Sequence, residues 1–275
     1  MRYPRHNTIN FSGYLMDLNI PKVMGILNVT PDSFFHESRS FDEKQIIERV
    51  KKLLEEGVDI IDVGGCSTRP GFLPPSEEEE LKRLDQGCRI VRELAPEIPL
   101  SVDTFRASVA ERVISSWNIH IINDISGGED PEMWRIVADQ KVTYVLTHNV
   151  EASHPDRNIT AEVIIDLSKK VNELHRLGVN DIILDPGFGF AKTLEENFRL
   201  LNQLEEIVYM GYPVLVGISR KSMIHKTLNV TPDDSLIGTV ALDAIALEKG
   251  ANILRVHDVK PAKETVKLFT KLKDI

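Results

Sequence analysis

Eight short apolar runs, each closing on a polar residue and each followed by a helix-like stretch, limit what this chain can fold into more than any other feature. They lie at Val23–Asn28, Asp59–Gly65, Leu100–Asp103, Ile121–Asp124, Tyr144–His148, Ile182–Asp185, Val214–Lys221 and Ile253–His257. Runs of aliphatic and β-branched residues without alternation read as strands covered on both faces, the signature of a parallel sheet. Eight of them separated by helical patterns predict an α/β fold, a (β/α)8 TIM barrel. Thr8–Phe11 and Tyr14–Leu18 stand before the repeat and flank the turn pair Ser12-Gly13. They predict a short N-terminal β-hairpin over the N-terminal mouth of the barrel.

Helices are expected at roughly 42–56, 76–94, 106–117, 132–139, 161–177, 194–210, 235–249 and 262–273. Asp42, Ser76 and Thr193 stand at N-cap positions before acidic first turns. Gly57, Gly178, Gly211 and Gly250 mark C-terminal stops, and Pro96 ends the second helix at Ala95. Two connections on the C-terminal side of the strands are long, Val29 to Phe41 and Gly64 to Pro75, and long loops over a barrel mouth usually bind or cover ligands. The 275 residues suit one barrel domain spanning 1–275, with no linker or low-complexity tract.

The net charge of −9 and the absence of a basic stripe argue against nucleic acid as a partner. The acidic surplus, as at Ser76–Glu80, reads as solvated helix faces. Cys66 and Cys88 lack metal-ligand or redox spacing, and no membrane span or targeting segment is visible, so a cytoplasmic enzyme is expected.

In a barrel of this kind the strand ends gather into the site. Asn28 closes the first strand, placed either to offer Mg²⁺ an amide oxygen or to hydrogen-bond a neighbouring loop. Asp62 lies near the end of the second strand. GGCSTRPG (Gly64–Gly71) combines glycines with hydroxyls and the Arg69 fork, suited to an anion. Asp103, Asn123 and Asp185 close LSVD, IIND and IILD and suit a flat heterocycle presenting N–H and C=O groups. Each must meet such a ligand or pair internally with a base such as Lys221, because buried charges are otherwise costly. Lys221 and Ser222 in SRKSM stand near the start of a helical turn that suits a carboxylate or phosphate. In RVHD, alternation puts Arg255 and His257 on one side, toward the barrel axis.

Taken in order, NVTPDSF, GGCSTRPG, SVDT, NDISGG, LDPGFGF, GISRKSMI and RVHDV resemble the dihydropteroate synthase family over nearly the whole chain. The resemblance implies a (β/α)8 barrel condensing 6-hydroxymethyl-7,8-dihydropterin diphosphate with p-aminobenzoate and releasing pyrophosphate. It implies Asp62, Asp103, Asn123, Asp185 and Lys221 around the pterin, and Thr68, Arg69, Arg255 and His257 on the diphosphate. Phe34, Pro70, Phe190, Lys221 and Ser222 would frame p-aminobenzoate, and Asn28 would hold Mg²⁺ as cofactor. Lys221, Arg255, His257, Arg69 and Asp185 are the catalytic candidates, with no protein nucleophile. A homodimer through the late helices and competition by sulfonamides are also implied. The chain departs from the family pattern in three places: Phe34-Phe35-His36-Glu37-Ser38 replaces the usual SFSDGG, Cys66 stands where Glu is commonest, and YVLTHN (Tyr144–Asn149) lacks the methionines of the family's LMH-Met. Two other classes share part of the pattern. A methyltetrahydrofolate–corrinoid methyltransferase barrel shares the pterin-binding Asp and Asn but has no use for Arg69, Lys221, Ser222, Arg255 and His257. A non-catalytic pterin-binding paralogue would keep the pocket and lose loop function.

Overall fold

The structure is a computed structural model and describes residues 8–11, 13–30, 43–66, 73–151 and 157–274. The elements run β1 (Thr8–Phe11), β2 (Tyr14–Asp17), β3 (Lys22–Asn28), α1 (Glu43–Glu55), β4 (Ile60–Gly64), α2 (Glu77–Leu94), β5 (Leu100–Asp103), α3 (Ala107–Trp117), β6 (Ile121–Asp124) and α4 (Met133–Gln140). They continue β7 (Thr143–Thr147), α5 (Ile159–Arg176), β8 (Ile182–Asp185), α6 (Leu194–Asn202), α7 (Leu204–Val208), β9 (Leu215–Val216), α8 (Ser222–Leu228), α9 (Leu236–Glu248), β10 (Ile253–Val256) and α10 (Val259–Lys273). The eight strands from β3 onward form one parallel sheet, ordered β8-β7-β6-β5-β4-β3-β10-β9. A single bridge, Leu184 to Val214, brings β9 back to β8 and closes the ring. The expected TIM barrel is the fold that forms.

Strand alternation sorts the side chains into two cores. Tyr144 and Leu146 of β7, Leu100 and Val102 of β5, and Leu184 of β8 pack outward against the helices. Met24, Ile60, Ile121, Val145, Ile183, Leu215 and Ile253 face inward and form a separate cluster. The hairpin completes that cluster. Its burial alternates along β1, and Ile9, Phe11 and Met16, with Leu18 just beyond β2, join the interior residues. Each such side chain fully removed from water contributes roughly 1.5–3 kcal/mol. The N-terminal end of the barrel is therefore closed by an apolar floor.

Local signals explain the helix ends. Ser76 caps α2 through Glu79 N, and Thr193 forms a capping box with Glu196 at α6. The structure differs from the sequence reading in three places. The seventh barrel strand is only Leu215–Val216, and the residues to Lys221 turn away into α8, a helix the sequence showed only as a turn. The helix expected over 194–210 breaks at Gln203, whose side chain accepts a hydrogen bond from the Thr160 hydroxyl at 2.7 Å. Glu80 is not on a solvated face: it is fully buried, accepting from the Thr104 hydroxyl at 2.7 Å and pairing with Arg106.

One buried carboxyl has no such partner. Asp243 lies inside the apolar helix α9 with its Oδ1 unpaired, and burial pushes its pKa up from 3.8 to about 8. The folded state thus holds a proton that the unfolded chain releases, so no charge is buried in acid and the group lowers stability as pH rises toward about 8. Asp243→Asn should melt higher than wild type at about pH 8, with the gap closing toward about pH 4. Parallel melting curves for the two proteins would contradict this account.

Candidate functional site

At the C-terminal end of the barrel the inward positions turn from apolar to polar. Asp62, Asp103, Asn123, Asp185 and Arg255 stand one layer above the apolar cluster, each on its own strand. Register sets Asp103 beside Asn123 and Thr147 beside Asp185. The internal base is Arg255 rather than Lys221. Its Nε donates to Asp62 Oδ2 at 2.7 Å and its Nη2 to Asp103 Oδ2 at 2.6 Å. Asn123 Nδ2 donates to the same Asp62 oxygen at 3.1 Å.

These bonds orient the groups without exhausting them. Asp62 Oδ1 and Asn123 Oδ1 are buried with no protein partner. Burial raises the pKa of Asp103, opposed by Arg255 and reinforced by Asp62. Burial also works against the Arg255 charge, but Asp62 and Asp103 outweigh it and hold the guanidinium firmly protonated. A ligand presenting N–H groups to the two orphan oxygens would satisfy what the protein leaves open.

A second group surrounds Asp185. Its Oδ1 accepts from Gly187 N at 2.7 Å, and burial raises its pKa against the pull of Lys221. Gly187 has φ +73°, and a Cβ there would come within 1.9 Å of His148 O, so only glycine lets the two strand ends approach this closely. Lys221 Nζ donates to Phe188 O and sits 4.5 Å from the centre of the Phe190 ring. Burial lowers the Lys221 pKa to about 8, with Asp185 countering. This places Lys221 and Phe190 together near Asp185, and Ser222 directly follows Lys221 as the first residue of α8.

The third group follows Arg255 at the end of β10. His257 N donates to Ser219 Oγ at 3.2 Å, and the same hydroxyl lies 3.1 Å from His257 Nδ1. Burial, then Arg255 and Arg220, lower the His257 pKa to about 4, so the imidazole is neutral near pH 7. A Ser219 hydroxyl that donates to Nδ1 would put the ring proton on Nε2. Arg220 holds this corner, donating to both Asp258 oxygens at 2.9 Å and to Asp233 at 2.8 Å.

Several residues that build the site were not singled out from the sequence. Lys192 Nζ donates to His148 O at 3.1 Å, Gly187 O at 2.9 Å and Phe190 O at 3.1 Å. It thereby fixes the loop that carries Asp185's neighbours and Phe190. Ser219 and Arg220 flank Lys221 within SRKSM, so their segment was legible but their roles were not. His148, by contrast, was already marked by the sequence as the end of the fifth apolar run; it is buried, and burial with Lys192, Lys170 and Arg157 lowers its pKa to about 3. Phe34, Thr68, Arg69 and Pro70, and the altered stretch His36–Ser38, lie outside the described residues.

The expected Mg²⁺ cofactor on Asn28 is corrected. Among the described residues no group of three or more His, Cys, Asp or Glu could hold a metal ion. Asn28 pairs in register with Gly64, and its Oδ1 lies just 3.1 Å from where a Cβ on Gly64 would stand. One oxygen of each carboxylate of the polar layer beside it, Asp62 Oδ2 and Asp103 Oδ2, pairs with Arg255.

The site can be set beside known proteins. A family model described as pterin binding enzyme matches residues 24–257. The dihydropteroate synthase of Clostridium beijerinckii is 42% identical over 250 residues, covering 90% of this chain and 92% of that protein. The chain belongs to the dihydropteroate synthase family. The synthase of Bacillus subtilis is 41% identical over 254 residues, covering 90% of this chain and 87% of that protein. A structure of the Xanthomonas albilineans dihydropteroate synthase with 4-aminobenzoic acid superposes with a TM-score of 0.91 at 35% identity, covering 98% of this chain and 99% of that one. The Yersinia pestis dihydropteroate synthase in complex with a sulfonamide drug gives 0.88 at 36% identity, covering 97% and 99%. No helix among the described residues is long and apolar enough to cross a membrane.

Lys192 gives this dihydropteroate synthase site a direct test. Burial brings its pKa down to about 7, yet its donors still satisfy three carbonyls. Lys192→Met removes a donor from all three carbonyls, leaving Gly187 O with only the Phe190 N–H, and should cost about 2–4 kcal/mol of stability. Unchanged denaturant midpoints would show that the lysine does not brace this loop.

Proposed function

We propose that this chain joins 6-hydroxymethyl-7,8-dihydropterin diphosphate to p-aminobenzoate, yielding 7,8-dihydropteroate and pyrophosphate for folate synthesis. It would act in the cytoplasm as a single pterin-binding barrel domain. The observation that carries the reading is the pairing of orphan acceptors, Asp62 Oδ1 and Asn123 Oδ1, with the buried cations Arg255 and Lys221 in one pocket of this family's fold. The orphan oxygens and Asp185 take the N–H edge of the pterin. Lys221, held between Asp185 and the Phe190 ring, reaches the other side of the ring.

The reaction breaks the C–O bond between the pterin methylene and the diphosphate, and the ring delocalises the cation left behind. Arg69 and Arg255 counter the charge of the leaving group, while neutral His257 donates from Nε2 and the Thr68 hydroxyl adds a further donor. Groups already fixed in place are worth more than groups that must reorganise. The arylamine nitrogen then forms the new C–N bond and loses its proton. Phe34, Pro70, Phe190, Lys221 and Ser222 hold p-aminobenzoate on the open side, where sulfonamides would compete. Neither cysteine takes part: Cys88 is buried with its thiol pKa raised by burial, and Cys66 is likewise shifted upward.

The exposed apolar side chains fit a homodimer. Ile237 and Ile245 on α9 are 83% and 43% exposed, and Leu268 and Leu272 on α10 are 70% and 72% exposed. Those two helices pack side by side. Such exposed apolar side chains on two packed helices mark an interface, and we propose a second copy of this chain as its occupant. Ile237→Glu combined with Leu272→Glu should give a monomer by sedimentation. A wild-type protein that sediments as a monomer at every concentration would remove the dimer.

Pyrophosphate release from the pterin diphosphate tests the activity. Release should require p-aminobenzoate, give dihydropteroate, and fall at least roughly 100-fold in Lys221→Ala, in line with loss of a preorganised electrostatic contact. Tight pterin binding without any release would instead identify a non-catalytic paralogue.

A further inference from the structure

A third orphan lies in the same layer and has no place in the scheme above. Thr147 ends β7, is fully buried, and its Oγ1 has no hydrogen-bond partner. Its direction follows from alternation: Tyr144 and Leu146 pack outward, while Val145 belongs to the inner cluster. Two residues below Val145, the Thr143 hydroxyl donates toward the floor, to Asn10 O at 3.4 Å. Two residues above it, Thr147 points into the upper pocket, beside Asp185 in the parallel ladder.

Valine has the same shape and would fill this position without burying an unpaired hydroxyl. Among the other open atoms of the inner strand faces, Asp62 Oδ1 and Asn123 Oδ1 only accept hydrogen bonds, while Ser101 Oγ, in register with Asp62, is a second unpaired hydroxyl. Beside Asp185 the open donor is Thr147. Resting on the function proposed above, we propose that Thr147 is a specificity-determining residue, donating its hydroxyl proton to an acceptor of the bound pterin, a ring nitrogen or the ring carbonyl. Asp62, Asn123 and Asp185 read the donor edge of the heterocycle, and Thr147 reads an acceptor. The pocket thus discriminates a ring with both functions from one that only donates.

Calorimetry with 6-hydroxymethyl-7,8-dihydropterin diphosphate tests this, using wild type, Thr147→Val and Thr147→Ser. The valine variant should bind about tenfold more weakly, as for a lost hydrogen bond in a buried site. The serine variant, which keeps the donor, should bind within about threefold of wild type. Ligand-free Thr147→Val should melt at or above the wild-type temperature, because no protein partner is lost. Equal affinity of the valine variant and wild type overturns the proposal while leaving the proposed function standing. A valine variant that melts well below wild type also overturns it, by showing that the hydroxyl serves the fold. Wild type that fails to bind the pterin overturns both readings together.

Discussion

The Arg255 guanidinium, shared between Asp62 and Asp103, is the contact on which the upper half of the barrel depends. It ties β10 to β4 and β5 across the interior, with Asn123 of β6 joined through the same Asp62 oxygen. Such a cluster is a poor way to gain stability. Desolvating several charges costs about as much as their attraction returns, and apolar replacements often do as well. Breaking it from one side is different, because a buried carboxylate left without its cation costs about 3–5 kcal/mol. The cluster therefore acts as a lock: it keeps side-chain oxygens at fixed places and leaves two of them open to the pocket.

The rest of the architecture serves that lock. The hairpin and inner aliphatic residues make a dry floor, where the effective dielectric is low and charges act at greater strength. Around the rim, four arginines brace the segments that carry the polar layer. Arg49 donates to His257 O at 2.6 Å, and Arg220 grips Asp258. Arg106 pairs with buried Glu80, and Arg157 joins Glu196 and Ala191 O. Each links groups distant in sequence, so loop geometry rests on paired charges while the strands rest on apolar packing.

Sequence and structure agree where the governing forces are local or periodic. Apolar runs without alternation gave the strands, Thr193 before an acidic turn announced a helix N-cap, and Ser12-Gly13 marked the hairpin turn. The strand-end residues Asp103, Asn123, Asp185 and Arg255 were legible because closure of a barrel brings strand ends together. What escaped depends on partners far along the chain. Glu80 looks like its exposed neighbours Glu77 and Glu78 until Thr104 and Arg106 close over it. Lys192 carries no motif of its own, and its three carbonyl partners are defined only once β7 and the loop after β8 meet. The stop at Val216 and the break at Gln203 likewise reflect tertiary contacts that no window of sequence contains. The metal expected at Asn28 was inferred from one amide, and a single donor says little about whether other ligands converge on it.

Gly187 and Gly127 give the pocket a history as well as a shape. The volume that a side chain would need at each is already held by a backbone carbonyl of β7 or the residue after it, at 1.9 and 2.3 Å. Any amino-acid substitution at these positions adds at least a methyl group where main chain must be displaced. Selection by an inhibitor or a new substrate is thus denied these steps however strong it is. Adaptation of this pocket must travel through side chains that can be exchanged at constant volume, and drift along the strand ends is confined to that narrow set.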